Sequence, residues 1–98
     1  MMLRALYYAD KADFEGKRRH GSYVIEPRGM TGLFELVYFC PCGCGMQNRL
    51  LVGEGHKPGG PRPSWNWNGS RTEPELKPSV NMTGHWHGYL RDGYWETV

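Results

Sequence analysis

Three cysteines fall within five residues, Cys40-Pro41-Cys42-Gly43-Cys44, and they are the only cysteines in the chain. An odd number rules out a complete intramolecular disulfide framework. Partners two residues apart also make a poor bridge, because alternate side chains of an extended chain diverge. Thiols kept reduced, as in a cytosol, and gathered this tightly point to a soft metal, zinc before others. Gly43 and Gly45 let the loop fold back so that backbone N–H groups reach the thiolates.

Three thiolates leave one corner of a tetrahedral site open. Of the four histidines, His20 and His56 lie in polar loop sequence with no ligand-type neighbours and read as surface residues. His85-Trp86-His87 differs, since an i, i+2 pair on a strand projects both imidazoles to one face. One structural zinc joining 40–44 to 85–87 would contribute on the order of 10 kcal/mol to folding. The plainer reading makes the cysteines small buried apolar residues and the histidines a polar strand face.

The elements that must position these groups read as mainly β: a small antiparallel sheet domain with a long Gly/Pro loop. Gly and Pro occupy 14 and 7 of the 98 positions, and hydrophobic residues make up only 39%. That leaves a thin core for one domain spanning 1–98, partly offset by aromatics. Leu33–Phe39 is the strongest strand and runs straight into the cysteines; Asn48–Val52 returns antiparallel, making the cysteine segment the knuckle of a hairpin. Tyr23–Glu26 is a short strand stopped by Pro27, and Leu3–Tyr8 is either a strand or a short helix. Residues 53–63 read as a mobile surface loop. Trp65 and Trp67 share a strand face, Glu73–Lys77 is extended, and Trp86–Leu90 and Tyr94–Thr97 form a hairpin about Arg91-Asp92-Gly93. The four tryptophans are expected in the core; any exposed tryptophan face would make a groove for an extended peptide.

No apolar run approaches the roughly 18–20 residues of a membrane span, and the N-terminus lacks a secretory pattern, so a cytoplasmic protein is expected. Twelve basic against ten acidic residues give +2. The run Lys17-Arg18-Arg19-His20 is too short for a nucleic-acid footprint and reads as a solvated loop.

Phe39-Cys40-Pro41-Cys42-Gly43-Cys44-Gly45 resembles the signature of a family of small bacterial and bacteriophage zinc domains of unknown function. Its further blocks are matched in order by Trp65-Asn66-Trp67-Asn68-Gly69, Leu76-Lys77-Pro78-Ser79-Val80 and His87-Gly88-Tyr89-Leu90-Arg91-Asp92-Gly93, within residues 33–97. Some relatives occur in bacterial operons for ubiquitin-like conjugation, where they resemble the deconjugating peptidase; many others are stand-alone phage proteins. Family members commonly carry a fourth cysteine just before the fixed histidine, and this chain has none there. Either His85 takes the vacated position and frees His87, or His87 binds the metal and His85 stands beside it.

The resemblance implies Ser79 as nucleophile and His87 as general base, acting on a peptide or isopeptide bond of a ubiquitin-like protein. Asp92 is a candidate to orient the imidazole. Serine after proline is also an ordinary turn former. A catalytic zinc would need an open coordination position and a carboxylate base such as Glu73 or Glu75. The contrasting expectation is a non-catalytic phage protein that binds a host factor, with purely structural zinc. Both readings expect a protein partner or substrate and no membrane; a zinc-ribbon nucleic-acid binder ranks a distant third, since a continuous basic stripe is lacking.

Overall fold

Leu33–Phe39 is apolar at every position except Glu35, which needs both of its faces covered. The computed structural model describes residues 2–29 and 31–98. It has strands β1 (Met2–Arg4), β2 (Leu6–Tyr7), β3 (Ser22–Pro27), β4 (Leu33–Phe39) and β5 (Gln47–Glu54). There follow β6 (Ser64–Trp67), β7 (Leu76–Lys77), β8 (Val80–Met82), β9 (Trp86–Arg91) and β10 (Tyr94–Thr97). Helix α1 spans Lys11–Lys17. One sheet has the order β2-β3-β4-β5-β6-β7, the other β1-β10-β9-β8. Most pairings are antiparallel, as expected, but β2–β3 and β5–β6 are parallel. No helix among the described residues is long and apolar enough to cross a membrane.

Alternation sorts β4 between two cores. Leu36, Tyr38 and the following Cys40 join Trp86, Leu90 and Trp95 of the four-stranded sheet in the main core. Tyr38 packs on Trp95 with ring centroids 5.0 Å apart, and Trp86 meets Trp95 edge-on at 5.7 Å. The opposite face sends Val37 and Phe39 against Phe14 of α1. The helix is short, begins at an Asp10 cap and buries only that phenylalanine. Trp67 and Trp95 are fully buried and Trp86 nearly so, while Trp65 stays half-exposed.

Glu35, only 6% exposed, sits on the helix-side face where α1 does not reach. Arg28 and Arg62 each donate to it at 2.8 Å. Residues 55–63 therefore do more than cover the surface: through Arg62 they satisfy a buried carboxylate, while Gly53 and Glu54 belong to β5. Burial alone would raise the Glu35 pKa, but the hydrogen bonds and charges of Arg62 and Arg28 outweigh it and lower it. A depressed folded pKa stabilises above the unfolded value, about 4.3, and that contribution is lost as pH falls through the folded value. Glu35→Gln is expected to lose about 1–3 kcal/mol at pH 7. The gap to wild type should close below about pH 4 in parallel denaturant titrations, where any shared acid loss of metal cancels.

Gly88 lies on the buried face of β9 between outward-pointing His87 and Tyr89. An added Cβ would run into the backbone carbonyl of Glu96 on β10 and come within 2.6 Å of the Trp86 ring. Gly88→Ala should therefore cost about 1–3 kcal/mol of repacking. At roughly 4–8 °C per kcal/mol for a domain this size, that is readable in a thermal melt.

Candidate functional site: a thiolate knuckle and a serine–histidine pair

β4 carries the chain out of the main core at Cys40, which is 1% exposed, and β5 takes it back from Gln47. The turn between them is closed by the Cys40 N–H donating to the Met46 carbonyl at 2.9 Å and the Gly43 N–H to the Cys40 carbonyl at 3.1 Å. Gly43 has φ +88°, open to glycine, and the His20 ring lies against it where a side chain would stand. Arg18 donates to the Gly45 carbonyl at 2.9 Å and stacks over Phe39. The basic run after α1 is thus not simply solvated: two of its side chains brace the knuckle. His20 itself is not among the grouped metal-type ligands.

The fourth candidate donor comes from the turn that leads into β9 of the other sheet. Met82, Thr83, Gly84 and His85 make the turn between β8 and β9, with the His85 N–H on the Met82 carbonyl at 2.8 Å and Gly84 at φ +73°. This turn separates the two imidazoles expected to share a strand face. His85 swings to the knuckle, with Nε2 at 3.2, 3.3 and 3.2 Å from the sulfurs of Cys40, Cys42 and Cys44. The four donor atoms all lie within 4.8 Å of one another. A tetrahedral site with metal–sulfur bonds near 2.3 Å and a metal–nitrogen bond near 2.0 Å has edges of about 3.5–3.8 Å. The observed S–N spacings fall a few tenths short of that, so the group fits one ion with a small outward relaxation.

Cys40, Cys42, Cys44 and His85 can therefore hold a metal ion, and it would clamp the two sheets together at one end. Burial pushes the Cys40 thiol up to about 12 when no cation is near. The exposed Cys42 thiol is lowered, first by the S–H···S bond from Cys40 and next by Cys44. A bound dication would ionise all three outright. Met46 adds a backbone N–H to Cys44 Sγ at 3.4 Å. Glu73 and Glu75 are outside this group; Glu75 pairs loosely with Lys77 on β7.

His87, pointing outward from β9, lies directly across from Asn81 of β8. Its Nε2 is 3.0 Å from Ser79 Oγ. Val80 faces the core, so its neighbour Ser79 turns to the outer side with His87. Trp65 Nε1 holds the Ser79 carbonyl at 3.1 Å. Asp92 does not join the pair: it occupies the β9–β10 turn, at the opposite end of the hairpin from His87. Among the described residues no hydrogen bond links His87 to a carboxylate. His56 stays on the surface, its ring against the Glu54 carbonyl.

The sequence pattern of the bacterial ubiquitination-like system serine protease family, BubE, matches residues 10–98. The chain belongs to the BubE family. No curated protein and no solved structure matches it. The BubE match begins at Asp10, the cap of α1, so it takes in the helix and everything from β3 onward.

Proposed function

We propose that the chain is a serine-type peptidase that cleaves a peptide or isopeptide bond at the C-terminus of a ubiquitin-like protein, in the cytoplasm of a bacterium. One Zn²⁺ on Cys40, Cys42, Cys44 and His85 serves a structural role. The observation that carries the reading is the 3.0 Å approach of Ser79 Oγ to His87 Nε2, in a chain of a serine-protease family. Ser79 Oγ attacks the scissile carbonyl carbon as its proton passes to His87 Nε2. The tetrahedral intermediate collapses when His87 returns that proton to the leaving amine, leaving an ester on Ser79. Water, deprotonated by His87, then hydrolyses the ester and restores the serine. The pair acts as a dyad, with the imidazole held by β9 and not by a carboxylate.

The test is cleavage of a ubiquitin-like protein from such a system, carrying a C-terminal extension, followed by mass spectrometry. Wild type should release the extension, and Ser79→Ala should not, with metal content unchanged. Equal cleavage by both would overturn the serine mechanism. The alternative is a non-catalytic phage protein that docks a host factor. It draws on Tyr89 and Tyr94, each 37% exposed, on the outward face that also carries His87. It expects no cleavage by either protein.

A further inference from the structure

Two strand edges face each other with no strand between them among the described residues, joined where Asn48 Nδ2 donates to Met82 Sδ at 3.2 Å. Among the described residues β8 ends its sheet and pairs only with β9. β5 meets β6 only from Leu51 onward, leaving the side of Gln47–Leu50 away from β4 unpaired. Between these edges lies a slot of about 450 Å³. Leu50, Pro63, Trp65, Val80 and Met82 line it with apolar surface. One end abuts Met46 and His85 beside the knuckle. At the other end Trp65 holds the carbonyl of Ser79, the residue that leads into β8. Asn81 belongs both to the slot and to the strand pair that faces His87.

Arg49 and Arg62 also line the slot, with 45% and 42% of their side chains exposed. Their network holds Lys11, Arg28, Arg49 and Arg62 against only Glu26 and Glu35. Lys11 and Arg28 stand outside the slot; its lining holds Arg49 and Arg62 and neither Asp nor Glu, and Glu35, which pairs with both arginines, is turned inward. The charge presented to an occupant is positive.

We propose that this slot binds an extended peptide segment bearing acidic side chains. The segment adds as a strand to the free edge of β8, sets apolar side chains against Trp65 and Leu50, and places acidic ones at Arg49 and Arg62. That its chain end is then delivered to Ser79 rests on the peptidase function proposed above; the binding itself does not. The slot therefore selects the tail of the substrate by main-chain pairing and charge.

The experiment uses metal-bound Ser79→Ala protein, which cannot turn over, and fluorescence anisotropy of labelled decapeptides. One peptide alternates valine and glutamate, a second has lysine in place of glutamate, and a third is the first N-methylated at every second residue. The glutamate peptide is expected to bind at least tenfold more tightly than either of the others. Arg62→Gln should weaken it at least fivefold, whereas Arg28→Gln, which also binds Glu35 but does not line the slot, should leave it within twofold. Equal binding of the glutamate and lysine peptides, or no binding of the glutamate peptide, overturns the proposal without requiring any arginine variant to fold. Intact ubiquitin-like substrate in the wild-type assay, with peptide binding retained, would instead overturn the peptidase reading alone.

Discussion

Cys42→Ser is expected to yield a chain that binds no metal and does not fold stably at 25 °C. Cys42 is the informative ligand because it is exposed, so the substitution removes no packing. Cys40→Ser would also disturb the main core, in which Cys40 is buried. The exposed thiol would supply one corner of a metal clamp between Cys40–Cys44 at the end of β4 and His85 in the β8–β9 turn. Apparent stabilisation by structural zinc in small domains is about 10–16 kcal/mol. The whole stability of a domain this size is about 5–15 kcal/mol. Losing the ion therefore removes an amount comparable to the total. Zinc is the expected occupant from the thiolate–imidazole set, and metal analysis of the purified protein should find one equivalent. Addition of a strong chelator to wild type should reproduce the variant: near-UV circular dichroism from Trp67, Trp86 and Trp95, all buried, collapses and returns when zinc is restored. A chelated protein that keeps its native near-UV spectrum would sink the structural role of the metal.

The hairpin that carries the clamp was legible because its signals are local. Leu33–Phe39 is a nearly unbroken apolar run, Pro41, Gly43 and Gly45 favour a turn after it, and three thiols in five residues have few other uses. The C-terminal hairpin was legible for the same reason, from alternation around Asp92-Gly93. Helix α1 was missed: its seven residues offer too few turns for a 3.6-residue period, though Asp10 as a cap was a usable sign. The parallel pairings of β2 with β3 and β5 with β6 join segments separated by a helix and a loop, and no local pattern encodes them. At the site, the assumption that His85 and His87 share a face failed because Gly84 turns the backbone before β9 begins. The same tertiary blindness hid Arg18 and His20 at the knuckle and Arg62 at Glu35: each reads as a solvated charge until the fold brings its partner near.

The separation of those two histidines makes opposite phenotypes the expected outcome of substituting residues two apart. His85→Ala should behave like Cys42→Ser, losing metal and near-UV signal, because its Nε2 is 3.2–3.3 Å from all three sulfurs. His87→Ala should keep its metal and melt close to wild type, since among the described residues its exposed side chain bonds only to Ser79 Oγ. Under the proposed mechanism its effect should fall on turnover: removal of a positioned general base costs about 10²–10⁴ in rate. Ser79→Ala should lose at least as much, with little change in KM if the substrate tail sits in the slot as proposed, because neither side chain lines it. The double variant decides whether they act together. Groups that form one nucleophilic unit are grossly non-additive. Ser79→Ala/His87→Ala should therefore be no slower than the slower single variant. Losses that multiplied would mean that the two side chains serve separate steps, and the 3.0 Å contact between them would then be a surface hydrogen bond with no part in moving the serine proton.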